Sequence, residues 1–162
     1  MGNKTLYYLD SALYPAAALG VAAVTCRSAA WLALAAFGIL LFTFVDYWVH
    51  RTLLHRWFYH GTHEVHHKNP ADYVVIWYVP LGFVVLFLLA PAALFAGVTL
   101  GFCWFMAMHH VMHHWDLGRH PLLGRLSAWH LLHHKFIRCN FGITHSGWDI
   151  LFGTYRRLEQ PQ

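Results

Sequence analysis

The chain has 162 residues, 58% of them hydrophobic and 11% charged, against roughly 25% charged in a soluble domain. Its formal charge of +4 comes from dispersed basic residues in an apolar chain, which fits a positive-inside membrane bias and no nucleic-acid partner. The length is that of one domain. Three scattered cysteines, Cys26, Cys103 and Cys139, form no C-x-x-C pair, which excludes a zinc ribbon and a disulfide framework. Each is expected as a small buried hydrophobe.

No signal peptide is read at the start. Met1 to Asp10 holds one lysine, two tyrosines and an aspartate, and no A-x-A-like site follows. Residues 11–26 are apolar, with Pro15 early in the run, and Arg27–Ser28 is the only polar break before residues 29–49. That second run is apolar except for Thr43 and Asp46 and is long enough to cross ~30 Å of hydrocarbon. Residues 74–90 and 92–108, joined at Pro91, read as a second helical hairpin at the short end of spanning length. The expected fold is all-α and integral to the membrane. It has about four transmembrane helices in two hairpins, with a histidine-rich helical cap from residues 50–72 and 109–162. No repeat, linker or low-complexity tract divides the chain.

Parity ties the two halves of the cap together. If the second hairpin crosses twice, residues 50–67 and 109–134 emerge on one side. Of the eleven Lys and Arg residues, only Arg27 falls on the other side, so the histidine side is expected to be cytoplasmic, at a bacterial inner membrane or the endoplasmic reticulum.

Of fifteen histidines, all but His60, His120 and His145 concentrate in four packets: His50–His55, His63–His66–His67, His109–His110–His113–His114 and His130–His133–His134. Neutral imidazole is a ligand for Fe, Zn, Cu and Ni. In the two H-x-x-H-H triplets, residues i, i+3 and i+4 are expected in one sector of a helix. His109 and His113 are one turn apart, as are His110 and His114. His50 and His55 are five apart, a poor match for one metal on an ideal α-helix, so they serve two metals or lie where the helix ends. The packets supply about ten ligands, more than one four-coordinate ion needs, and two metals are the natural count. The expected set is His50, His55, His63, His66, His67, His109, His113, His130, His133 and His134, with His110 and His114 less firmly placed. His60, His120 and His145 are read as ordinary surface or hydrogen-bonded residues. Asp46, one turn before His50, is the best candidate to orient a ligand from behind, and Asp72 and Asp149 are further candidates. Asp116 is a weaker one, and Glu64 is turned away from His63.

The boxes Asp46-Tyr-Trp-Val-His50-Arg-x3-His55, His63-x-x-His66-His67, His109-x3-His113-His114 and His130-x-x-His133-His134 resemble, in order, those of the membrane fatty acid hydroxylase superfamily, which includes sterol desaturases and carotenoid hydroxylases. The resemblance covers about Asp46 to Arg157. Within it the pattern is most similar to fatty acid 2-hydroxylase. Lys68-Asn-Pro70-Ala-Asp72 resembles its H-H-x-x-P-x-D segment, and Asn140-Phe-Gly-Ile-Thr144 with Trp148-Asp149-x-Leu-Phe-Gly-Thr154 resembles its C-terminal signature. The resemblance implies a dinuclear centre at the cytosolic membrane face, with Fe as the metal and Zn as an alternative on isolation. It implies O2 as co-substrate and hydroxylation of a lipid acyl chain, expected at carbon 2. His120-Pro-Leu-Leu-Gly124 lacks the His-Pro-Gly-Gly haem motif of the cytochrome b5 domain that eukaryotic members often carry. No flavin or nicotinamide motif is present either, so electrons are expected from a separate protein of ferredoxin or cytochrome b5 type.

Trp48, Trp57, Phe58, Tyr73, Trp77 and Tyr78 are read as an interfacial aromatic belt in preference to the lining of an acyl channel. Two rival readings stay open. One keeps the site and changes the lipid, to a sterol or carotenoid that is hydroxylated or desaturated. The other is a histidine-rich membrane metal transporter or metal-binding protein, which should place polar ligands near the bilayer midplane; here the histidines lie at the span ends.

Overall fold

The computed structural model describes residues 4–57, 61–73 and 79–157, and every regular element among them is helical. Phe58, His60, Trp77, Tyr78 and the start of the third expected span lie outside the described residues. In chain order the elements are α1 (Lys4–Thr25), α2 (Ala29–Trp48), a π-helix (Val49–Trp57), α3 (Thr62–Lys68), α4 (Val79–Leu89), α5 (Ala92–His114), α6 (Leu123–Lys135) and α7 (Gly147–Leu151).

Local chemistry sets the breaks. Ser28 Oγ accepts the Trp31 amide at 3.1 Å, the side-chain cap that starts α2. Pro91 cannot continue α4, and its carbonyl accepts the Phe95 amide at 3.0 Å in the first turn of α5.

The chain divides into two compact units, Met1–Thr43 with Asp72–Met106, and Phe44–Ala71 with Ala107–Gln162. The first holds α1, most of α2, α4 and most of α5. Tyr14, Phe83 and Phe102 form an aromatic cluster there, with ring centroids 4.8–5.1 Å apart. Large apolar side chains such as Val24, Leu32, Leu88 and Leu89 are exposed, a surface suited to lipid rather than water. Two helical stretches, Ala29–Trp57 and Ala92–His114, are long and apolar enough to cross a bilayer. The other two expected spans fall short among the described residues. Helix α4 has 11 residues, about 16 Å of rise, and α1 carries Tyr7, Tyr8, Asp10 and Ser11 in its first half. The three cysteines are free and half-buried rather than fully buried.

Helices α2 and α5 meet through small residues. A β-carbon on Gly97 would overlap the Ala35 carbonyl, and one on Gly38 would lie 2.9 Å from Leu94 O. Gly97 admits this backbone contact, and Gly101, one turn on in a G-x-x-x-G stripe, leaves room for the Phe42 ring. Gly97→Leu is expected to cost about 3 kcal/mol, at the upper end for overpacking because backbone must move. The check is a lowered thermal midpoint in detergent, and an unchanged midpoint would show that the helices do not cross there.

The second unit holds the end of α2, the π-helix, α3, the end of α5, α6 and α7. Its core includes Tyr47, Met108, Met112, Phe141 and Ile143, together with four histidines and Asp149.

Candidate metal centre

The site is built entirely within the second unit. Ten histidines converge there as two groups of five: His50, His55, His63, His67 and His133 in the first, and His66, His109, His113, His130 and His134 in the second. In each group one nitrogen per imidazole lies within 4.8 Å of every other. The groups adjoin, with His67 stacked on His134 at a centroid distance of 4.3 Å.

The triplets do not act as units. On α3, His63 and His67 face the first group while His66 joins the second. On α6, His130 and His134 face the second group while His133 joins the first. Sharing one sector was the expectation; the two triplets instead exchange one residue each. The reason is helical: i and i+4 nearly coincide in angle, but i+3 and i+4 differ by about 100°, enough to serve two adjacent centres.

His50 and His55 both belong to the first group, with Nε2 atoms 3.2 Å apart. Five residues on an α-helix rotate about 140° off register. Here the segment is a nine-residue π-helix, whose i→i+5 closure returns the fifth residue to the same face.

His50 Nδ1 donates to the Phe141 carbonyl at 2.7 Å, and His133 Nδ1 donates to the Cys139 carbonyl at 2.8 Å. A carbonyl only accepts, so both protons sit on Nδ1 and both Nε2 atoms present lone pairs. His55 Nε2 lies 3.2 Å from His50 Nε2, 3.0 Å from His133 Nε2 and 2.9 Å from His63 Nε2. One imidazole proton cannot satisfy three neighbours. In the second group His113 and His134 Nε2 lie 2.8 and 3.1 Å from His130 Nε2. Both nitrogens of buried His66 lack a hydrogen-bond partner among the described residues, an arrangement that is costly unless something else binds there. Ligands about 2.1 Å from one ion have neighbouring nitrogens about 3.0–3.4 Å apart. The spacing and the orphaned nitrogens therefore fit a metal ion in each group.

Burial, and then the neighbouring imidazoles, depress the basicity of these rings. His63 is held down to about 2, and His66 and His134 to about 3, below the ordinary 6.5. His130 and His133 are well below it for the same reasons, although the Cys139 carbonyl acts in the opposite sense on His133. The neutral form, which binds metal, is thus the stable one.

The remaining candidates are placed elsewhere. His110 and His114 stack on each other at 4.3 Å and join neither group. His120 Nδ1 accepts the Leu123 amide and His145 Nδ1 accepts the Gly147 amide. Glu64 pairs with Lys68 at 2.7 Å. Asp46 is not the group behind His50, because the Phe141 carbonyl fills that position. Asp72 is exposed and belongs to the first unit. Asp116 Oδ1 accepts the Gly118 amide in an exposed turn. Asp149 is 1% exposed and accepts from the Phe141 and Gly142 amides, each at 2.8 Å. The two carbonyls behind His50 and His133 went unforeseen, since backbone atoms leave no residue-type signal.

Residues 35–154 match the family model described as fatty acid hydroxylase. The chain belongs to the fatty acid hydroxylase family. The chain is 33% identical over 146 residues to the dihydroceramide fatty acyl 2-hydroxylase FAH1 of Arabidopsis thaliana, covering 77% of the present chain and 61% of that one. It is 31% identical over 148 residues to the ceramide very long chain fatty acid hydroxylase SCS7 of Saccharomyces cerevisiae, covering 76% and 38% respectively. A solved structure of full-length scs7p, with only its hydroxylase domain visible, superposes with a TM-score of 0.72 and 26% identity, over 92% of this chain and 64% of that one. The chain thus spans under two thirds of the length of these relatives.

Proposed function

We propose that this chain, acting as one membrane-embedded hydroxylase domain, uses O2 to hydroxylate carbon 2 of a long acyl chain, free or within a lipid. The observation that carries the reading is the gathering of ten imidazoles into two adjoining groups of five in a member of this family. The first group would hold one metal ion and the second another, with iron assigned to both. Such a pair, when bound, supplies O2 activation and oxidation of an unactivated C–H bond. Two electrons come from a separate ferredoxin or cytochrome b5 type protein, and one oxygen atom leaves as water.

The chain's own residues hold the imidazoles neutral and exclude water around them. The apolar helices give the acyl chain a lipid environment, and multi-pass insertion with the histidines at the cytoplasmic face would put the site near the headgroups. Carbon 2 lies beside a polar carbonyl, so it reaches such a site with few methylenes leaving the bilayer. A mid-chain carbon would cost ~0.8 kcal/mol for each CH₂ withdrawn without apolar cover. The names of the Arabidopsis relative and of SCS7 support an acyl substrate, and the former supports position 2.

Expression in a host that lacks 2-hydroxy lipids, with an electron donor supplied, is expected to yield 2-hydroxy acyl chains carrying label from ¹⁸O₂. Oxidised sterols or carotenoids without 2-hydroxy product would discard the substrate and keep the site. Metal uptake into vesicles with no lipid oxidation would discard both.

A further inference from the structure

The metal reading above leaves open what holds the ligands of the first group in place, and the segment after α6 supplies an answer. Its residues Cys139 and Phe141 present the two carbonyls that accept from His133 and His50. Asn140 between them has a φ of +54°, a left-handed conformation that costs a non-glycine residue energy. Something must therefore fix this turn. The Asn140 side chain does part of it, accepting the Arg156 amide at 2.7 Å and donating to the Arg156 carbonyl at 3.2 Å.

The Asn140 amide, which shares a peptide with the Cys139 carbonyl, donates to the Thr154 carbonyl at 3.0 Å, and Asp149 holds the two residues that follow. Its Oδ1 accepts the Phe141 amide and its Oδ2 the Gly142 amide, both at 2.8 Å. A β-carbon at Gly142 would lie 2.9 Å from Oδ2, so the carboxylate meets the backbone directly. Behind it runs a one-way chain of donors. Arg51 donates to the Tyr47 hydroxyl at 2.9 Å, Tyr47 to Thr154 Oγ1 at 2.9 Å, and Thr154 to Asp149 Oδ1 at 2.7 Å. Thr154 spends its only proton on Asp149, so Tyr47 must be the donor between them. An ionised carboxylate only accepts, and the three groups that bond the Asp149 carboxyl oxygens among the described residues, two backbone amides and the Thr154 hydroxyl, are all donors.

We propose that Asp149 is a positioning residue for the first metal group alone. It fixes the Cys139–Gly142 backbone so that two carbonyls hold His50 and His133 with their Nε2 lone pairs on the ion. No matching device serves His66 or His130 in the second group: His66 has no partner on either nitrogen and His130 has none on Nδ1 among the described residues. The Asp149 side chain bonds this segment and Thr154 among the described residues, so damage at Asp149 is expected to reach the first group and not the second. In Asp149→Asn, whichever way the amide turns, its nitrogen meets an N–H donor.

The test is zinc release to a colour-forming chelator from the purified 162-residue chain in detergent, loaded with zinc. Two phases are assigned by the one that His55→Ala removes and the one that His113→Ala removes. Asp149→Asn is expected to speed the His55-dependent phase about 10–100-fold, the usual effect of losing an outer partner, and to leave the other within about twofold. Should Asp149→Asn not yield folded protein, Thr154→Val and Asn140→Gly carry the test. Each removes part of the support while sparing the carboxylate, and each is expected to speed the same phase by a smaller factor. Equal acceleration of both phases, or of neither, overturns the positioning role and leaves the metal reading intact. A wild-type chain that holds no zinc overturns both.

Discussion

Replacing His66 by alanine is expected to reduce bound metal from two ions per chain to one and to lower hydroxylation more than about 100-fold. His66 is 4% exposed, neither of its nitrogens has a hydrogen-bond partner among the described residues, and its ring lies 4.6 Å from that of His109 and 4.8 Å from those of His113 and His134. A buried imidazole with no partner is a liability in the metal-free fold, where each unsatisfied group costs ~1–3 kcal/mol. Its removal should spare the fold and harm the ion. The effect on turnover exceeds the 10–100-fold typical of outer partners because a direct ligand is lost. Elemental analysis of the purified variant, with hydroxylated lipid measured in parallel, makes the check. His120→Ala is the control: His120 is exposed and its imidazole accepts the Leu123 amide, away from both groups, so it should change neither. Full metal content and full activity in His66→Ala would remove His66 from the centre.

Acid is expected to unfold the metal-free chain between about pH 6 and 4. The unfolded histidines take up protons near 6.5, whereas His66 and His134 in the folded chain hold out to about 3 and His63 to about 2. Below 6.5 the unfolded state therefore binds more protons than the folded one. Stability is complete above about pH 7.5 and falls as the pH drops through 6.5 toward 3. At pH 5 His66 alone accounts for about 2 kcal/mol, one and a half pH units at 1.36 kcal/mol each. Several such rings together approach the roughly 5–15 kcal/mol that holds a protein folded. Metal opposes the trend until protons displace it from the same nitrogens. Thermal melts from pH 8 to 4, with and without chelator, read both effects. A metal-free chain whose midpoint stays flat over that range would show that these imidazoles are not buried together.

Residue type and spacing made much of this legible. The apolar runs around residues 29–49 and 92–108 announced the two long helices, because helix length follows directly from the number of apolar residues. Histidine is an expensive residue to repeat in an apolar chain, so the four packets marked the site before any fold was known. The G-x-x-x-G stripe at Gly97 and Gly101 was also present in the sequence, but its partner was not: only contact with Ala35, Gly38 and Phe42 shows what those glycines admit.

Residue identity alone was enough for the helical class, the family, and the ten imidazoles that meet. Each of these depends on residue identity and on distances of a few positions along one helix. Which imidazole faces which centre was decided by tertiary structure. The i+3 and i+4 positions of α3 and α6 diverge by about 100°, and only the packing of those helices turns that divergence into an exchange of His66 and His133. The pairing of His50 with His55 needed a π-helix, which five-residue spacing alone does not specify. The orientation of His50 and His133 rests on the carbonyls of Phe141 and Cys139, in a segment bonded by Asp149 and by the Thr154 carbonyl. Every residue carries such a carbonyl, so its role comes only from where the folded chain puts it.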